Sequence, residues 1–291
     1  MYNNLTYQIN GCLFKVYNQL RNITITTRIV YKKGYYMYNN LTYQINGCLF
    51  KVYNQLRNFW QEKVYEEALK LELQSQGLQV ETQKWFDVFY FDEQVGLYCL
   101  DVLVENTVIV ELKAVPEVLA LHKAQLISYL KGYNKPVGIL ANFGGQLLYH
   151  QTFPNHLAQK TPLTDTFDFN KVQLAEKEDI KELLFIANRI LITLGAGYLP
   201  QIYRRAFYYE LKMSGISFEV IKEVKAMYHH QSLSSKEVYF FRIGTLLLSV
   251  VTVQEFKPLT LSRFSHYIKY LKCQKGLIIN FNAVRLDYRY F

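Results

Sequence analysis

The sequence predicts an α/β (α+β) fold present twice in one chain, and three observations predict it. The stretch Tyr65-Glu-Glu-Ala-Leu-Lys-Leu-Glu-Leu-Gln-Ser-Gln-Gly77 returns as Tyr203-Arg-Arg-Ala-Phe-Tyr-Tyr-Glu-Leu-Lys-Met-Ser-Gly215, 138 residues later. Asn142-Phe143 returns as Asn280-Phe281 at the same offset. Between these markers each half runs through one series of patterns: helix, helix, strands, hairpin, helix, strand. Two homologous domains are the economical explanation, and 291 residues accommodate them.

The chain opens on a second, younger repeat. Residues 1–22 recur without a change at 37–58. Selection for a fold does not keep two copies identical, so residues 1–36 read as a duplicated, loosely packed appendage and Met37 as the natural first residue. Inside the repeated unit Ile45, Leu49, Val52 and Leu56 recur at helical spacing. A second helix starts around Glu62, an acid that suits the positive end of a helix dipole. Val, Leu and Ile runs on either side of Glu105-Asn106 predict a tight β-hairpin over about residues 95–113. A helix carrying Gln125 and Tyr129 follows. The first domain then spans 37–153. Pro154, Pro162 and clustered Thr and Asp mark a linker over 154–175, and the second domain covers 176–291.

Composition excludes several classes. Half the chain is hydrophobic and 16% aromatic, too much for a disordered protein. The longest apolar run, Ile243 to Val253, is far short of the roughly 18 residues that span a membrane. The Tyr- and Asn-rich N-terminus has no apolar signal core. Four cysteines form no CxxC or Cys/His ligand pattern, which argues against zinc and for a reducing cytoplasm. Residues 37–150 hold 9 Lys+Arg against 12 Asp+Glu, and residues 151–291 hold 19 against 12. A basic half beside a carboxylate-bearing half suits a polyanion; a solvated basic surface without a partner is the plain alternative.

The hairpin carries the chemistry. Glu111 and Lys113 are two apart on one strand and share a face, and Asp101 lies across the hairpin. Asp101 and Glu111 both sit in strongly apolar surroundings, where a carboxylate is costly without a cation or a donor. Two carboxylates for a hard cation, Mg²⁺ or Mn²⁺, with an ammonium beside them, is the chemistry of metal-assisted phosphodiester cleavage. The Val110 or Leu112 main chain is a possible further oxygen donor. Lys113 would position or deprotonate the attacking water or stabilise the phosphorane; a salt bridge to Glu111 or Asp101 is its plain alternative. In the second half Glu255-Phe-Lys257 matches Glu111-Leu-Lys113, Thr245 matches Asp101, His266 matches Gln125 and Pro200 matches Glu62. That half therefore reads as a degenerate copy that keeps the Glu-x-Lys pair and loses the other acids.

Residues 45–152 resemble the bacterial GxxExxY proteins, a branch of the PD-(D/E)xK nuclease superfamily, and 178–285 resemble a degenerate copy. The resemblance rests on Glu62-Lys-Val-Tyr65, Leu100-Asp101, Val110-Glu111-Leu-Lys113-Ala-Val115, Gln125-Leu-Ile-Ser-Tyr129-Leu130 and Asn142-Phe143-Gly144, in that order. It departs at Phe59, where the motif has glycine; the second half keeps Gly197 there and replaces the glutamate by Pro200. The resemblance implies two restriction-endonuclease-like domains, each a mixed sheet of about four strands flanked by helices. It also implies a site of Asp101, Glu111, Lys113, Gln125 and Glu62, with Asp101 and Glu111 on the metal and Tyr129 and Tyr65 in support. Its Gln125-x-x-x-Tyr129 pattern is similar to that of exonuclease domains in which the Gln orients the site and its DNA.

The reading is a cytoplasmic, Mg²⁺- or Mn²⁺-dependent nuclease acting on nucleic acid, with DNA the favoured substrate. The second half would serve as an internal pseudo-dimer partner or a DNA platform. A retired nuclease that only binds nucleic acid or acts as a scaffold is the rival, and a protein–protein module is a third option. His122, at the start of the Gln125 helix, has two readings, a contact to phosphate and the favoured one of capping its helix, and His229-His230 has no acid beside it to make a metal site.

Overall fold

The computed structural model describes residues 38–155, 174–282 and 285–291, with side chains in the first helix of the second half from Ile180 onward. The duplicated appendage with its Cys12, and residues 156–173 of the linker, lie outside the described residues. Each half holds the same elements. The first has α1 (38–56), α2 (Glu62–Ser75), β1 (Val80–Tyr90), β2 (Glu93–Val104), β3 (Val108–Lys113), α3 (Ala120–Gly132), β4 (Val137–Asn142) and β5 (Tyr149–Pro154). The second has α4 (Leu174–Leu194), α5 (Pro200–Met213), β6 (Glu219–Tyr228), β7 (Gln231–Ile243), β8 (Leu246–Val251), α6 (Pro258–Tyr270), β9 (Lys275–Asn280) and β10 (Asp287–Tyr290).

Each sheet has five strands rather than the four expected, because β5 and β10 add an antiparallel edge. The order is β1-β2-β3-β4-β5 and, in the second half, β6-β7-β8-β9-β10. Only the β3–β4 and β8–β9 pairs are parallel, each joined by a crossover helix. β3 and β4 are buried at every residue, which explains why Val-Ile-Val-Glu-Leu-Lys and Val-Gly-Ile-Leu-Ala-Asn read as continuous rather than alternating runs. The predicted hairpin is β2–β3. Glu105 and Asn106 take φ of 50° and 47°, the positive pair that a tight turn between right-twisted strands needs. Gly77 and Gly215 end the equivalent helices α2 and α5 with φ of 78° and 67°, a conformation costly for any residue with a Cβ.

One buried asparagine ties each crossover to its sheet. Asn142 accepts from the Val115 and Gly144 amides and donates to the Val115 carbonyl; Asn280 does the same with Val253 and Asn282. Behind it Phe143 stacks on Tyr65 at 4.4 Å and Phe281 on Tyr203 at 4.5 Å. These pairs fix the structural equivalence at an offset of 138 throughout β3, α3 and β4.

The two halves share a core. α1 and α2 cover one face of the first sheet. On the other, α3 and the α4–α5 pair pack against Phe86, Val88, Tyr90 and Leu100, while α5 also covers the second sheet through Tyr203 and Phe207. Polar contacts cross the same seam: Tyr90 donates to Glu210, which also holds Arg189 at 2.8 Å, and Lys131 donates to the Ala196 carbonyl at 2.6 Å. Burial there pulls Lys131 down to about 8. The seam has no slack at Gly96, where an added Cβ would collide with Ile202 Cδ1. Gly96→Val should therefore lower stability by about 1–3 kcal/mol, read as a shift in the urea midpoint, with Gly96→Ala in between.

Candidate nuclease site

The site forms where β2 and β3 part. Their ladder stops at Val102–Val110, so Leu112 must find another acceptor for its N–H. Asp101 Oδ2 supplies it at 2.8 Å. Glu111 and Lys113 project from the carboxyl end of β3, as alternation requires, and Lys113 Nζ stands 2.8 Å from Glu111 Oε1 and 3.9 Å from Asp101 Oδ2. Glu62, in the first turn of α2, brings Oε1 to 3.5 Å from the same ammonium. Asp101, Glu111, Lys113 and Glu62 are thus brought together from three elements, as the sequence implied.

Gln125 and Tyr129 face the same place from α3. Gln125 Nε2 donates to the Tyr129 hydroxyl at 2.8 Å. Tyr129 is pushed up by burial, and the nearby Glu111 and Asp101 charges add to the rise. Tyr65, implied in support, acts through the loop rather than at the carboxylates. It is wholly buried; its hydroxyl donates to Arg57 O and accepts from the Trp60 amide, holding the loop that leads into Glu62. His122 accepts from the Leu119 amide and caps α3, as expected.

Negative charge is in excess. Burial raises Glu62, Asp101 and Glu111, and Glu111 is pushed up to about 8 because the Asp101 charge adds to its desolvation. The Asp101 and Glu111 carboxyls both approach the one Lys113 ammonium, at 3.9 and 2.8 Å. Burial alone would pull Lys113 down, but Glu111, Asp101 and Glu62 outweigh it and hold it above its ordinary value. Neither Glu111 oxygen accepts a well-aligned hydrogen bond, despite the ammonium beside Oε1. A fully buried carboxylate in that state is costly, and a hard dication fits the donor set. Asp101, Glu111 and the Leu112 carbonyl, already turned toward Lys113, would hold it. Among the described residues no group of three or more His, Cys, Asp or Glu side chains is placed to hold a metal ion.

One acid escaped the sequence reading. Glu66, a turn after Glu62 on α2, is buried, accepts from Gln83 and adds its charge to the rise of Asp101. The i, i+4 spacing from Glu62 was the available signal. Gln83 itself sits at φ 52° in the middle of β1, opposite Asp101, a kink no sequence pattern announces.

The second half corrects the expected equivalences. Register places Ser249 where the first half has Glu111, Val251 where it has Lys113, and Phe240 where it has Asp101. Glu255 and Lys257 lie beyond β8, with Lys257 at the N-cap position of α6, so the Glu-x-Lys pair is not kept. Thr245 belongs to the β7–β8 turn, which is one residue shorter than its counterpart. The aligned helices set Arg263, not His266, at the Gln125 position, whereas Pro200 does stand at Glu62. Arg204, at the place of Glu66, donates to the Val250 carbonyl and lies over Tyr239, so its guanidinium fills the space.

A family model described as the PD-(D/E)XK nuclease superfamily matches residues 39–152 and again residues 177–290. The chain belongs to that superfamily. No curated protein and no solved structure matches it significantly. Both matched regions coincide with the two sheets and their helices, and no helix among the described residues is long and apolar enough to cross a membrane.

Glu111 gives the metal-free protein a pH signature. Its folded pKa lies above its unfolded one, so the folded state holds an extra proton between pH 4.5 and about 8 and loses stability as pH rises through that window. With a chelator present, urea unfolding should show stability falling toward pH 8 by up to about 1.4 kcal/mol per pH unit. Glu111→Gln should flatten that fall.

Proposed function

We propose that the chain hydrolyses nucleic-acid phosphodiester bonds at Asp101, Glu111 and Lys113 with Mg²⁺ or Mn²⁺, that its substrate is DNA, and that it works in the cytoplasm. The observation that carries this reading is the buried excess of carboxylate around one ammonium, with both Glu111 oxygens lacking hydrogen bonds. A dication bound by Asp101 and Glu111 would supply the charge that activates a water and neutralises the scissile phosphate.

The chain's own groups divide the remaining work. Lys113, held protonated by its neighbours, is a poor base; it is placed to stabilise charge on the phosphoryl oxygens and to orient the water. Glu62, half exposed at the mouth and raised by burial, is the group best placed to take up the proton of the attacking water. Gln125 fixes the Tyr129 hydroxyl beside the carboxylates and can donate to substrate. The second half lacks an equivalent set, and we assign it the part of pseudo-dimer partner and basic DNA platform. Its 19 Lys+Arg against 12 Asp+Glu over residues 151–291 support that part.

Isothermal titration of Mn²⁺ into the full chain should show one site, absent in Asp101→Ala. Lys113→Ala should keep the metal heat yet cut DNA roughly 100- to 1,000-fold more slowly. No metal heat and no cleavage, with metal-independent, steeply salt-dependent DNA binding, would replace this reading by that of a non-catalytic nucleic-acid-binding protein.

A further inference from the structure

We propose that Phe59 and Trp60 form a stacking platform for an unpaired nucleobase, so that the site acts on single-stranded nucleic acid; this deepens the nuclease reading and rests on it. The two rings stand just ahead of Glu62 in the chain, 71% and 45% exposed, with centroids 4.9 Å apart and planes tilted by 35°. Two residues of chain, at most about 7 Å, separate Trp60 from Glu62, and Glu62 touches Lys113 at 3.5 Å. A strand that crosses the carboxylates therefore passes within a few nucleotides of the platform. Arg57 and Lys63, both exposed, flank the rings in sequence and suit the phosphates on either side.

The loop that presents the rings is fixed rather than floppy. Its amide at Trp60 and its carbonyl at Arg57 are both held by the buried Tyr65 hydroxyl, and Asn58 donates to the Gly145 carbonyl at 3.0 Å. Large apolar groups held out to solvent on a rigid loop are costly without a partner. In the second half the same tyrosine clasp is kept, Tyr203 donating to the Gly195 carbonyl and accepting from the Tyr198 amide, but the residues it presents differ. Gly197, at φ 110°, stands where Phe59 stands, and Tyr198, at the place of Trp60, is turned into the seam between the halves beside Lys131. Phe59 needs no positive φ and points outward. The aromatic pair is thus particular to the half that carries the acids.

A second copy of the chain is a poorer occupant. Tyr198 docks on an apolar sheet face, but the matching stretch of β7 in the second half presents exposed Ser234, Ser235, Lys236 and Glu237. A nucleobase fits better, because its flat face is indifferent to sequence and rewards two aromatic rings. Inside a duplex both faces of a base are already covered by neighbours, which limits the platform to unpaired bases.

The test uses the full chain carrying Trp85→Phe, which leaves Trp60 as the one tryptophan. Its fluorescence is titrated with oligo(dT), oligo(rU) and a blunt duplex of equal length, in EDTA and again in Ca²⁺. We expect single strands to quench Trp60 and the duplex not to, with oligo(dT) and oligo(rU) distinguishing DNA from RNA as the source of the base. Phe59→Ala/Trp60→Ala should bind a labelled single strand roughly 5- to 100-fold more weakly, and Phe59→Tyr/Trp60→Phe should restore binding. Equal affinity of the double alanine variant and its parent in both buffers overturns the proposal, as does equal quenching by the duplex. A change in Trp60 emission that follows protein concentration without any oligonucleotide also overturns it, in favour of self-association. Quenching is read without turnover, so a chain that stacks oligo(dT) but cuts nothing with Mn²⁺ would sink the nuclease reading and leave the platform standing.

Discussion

A carboxylate and an ammonium on a strand with no exposed residue set the terms for the first half of this molecule. β3 is enclosed by β2 and β4 at its sides and by helices above and below, so Glu111 cannot reach water and Lys113 barely can. The low local dielectric makes their mutual attraction strong, but it also makes every uncompensated oxygen expensive. The surroundings answer this cost piece by piece. Asp101 leaves its own ladder to take the Leu112 amide, Glu62 leans in from α2, and the Tyr65 hydroxyl holds the loop that sets where α2 begins. What is left over is negative charge, and it is this residue of charge that a dication and a phosphate would neutralise.

The second half shows the same scaffold relieved of that constraint. Ser249, Val251 and Phe240 occupy the places of Glu111, Lys113 and Asp101, and the β7–β8 ladder runs one pair further, through Phe240–Ser249, because no side chain needs to intercept it. Arg204 spans the space with its guanidinium over Tyr239. Yet the asparagine clasp and the Tyr–Phe stack survive unchanged. Those features hold the crossover to the sheet in both halves, whereas the second sheet is built without the acids.

Joining the halves asks one helix to be buried on two sides. α5 gives Tyr203 and Phe207 to its own sheet and Ile202 and Arg205 to β2 of the other half. Its counterpart α2 buries a single stripe of Tyr65, Glu66, Leu69 and Leu73. The contact is head to tail: the receiving surface on the first sheet is apolar, while its equivalent on the second is exposed and polar. The difference is written in the helices, where Ala-Leu-Lys-Leu-Glu in α2 becomes Ala-Phe-Tyr-Tyr-Glu in α5.

Much of this was legible before any coordinates. Periodicity and the 138-residue repeat are local or self-referential signals, and they carried the α/β class, the duplication, the hairpin turning at Glu105-Asn106 and the grouping of Asp101, Glu111 and Lys113. The Glu255-Phe-Lys257 tripeptide misled because matching letters say nothing of strand register; only the β8–β9 pairing against Asn280 shows Ser249 in the place of Glu111. The fifth strands, the kink at Gln83 that faces Glu66, and the docking of α5 across both sheets depend on partners far apart in the chain. Sequence alone determined which residues could do chemistry and that the fold occurs twice, because both follow from short-range pattern. Tertiary structure decided which residues of the second half stand in the places of the acids and how buried the charges of the first half are, because register and burial are set by the neighbours that each strand acquires on folding.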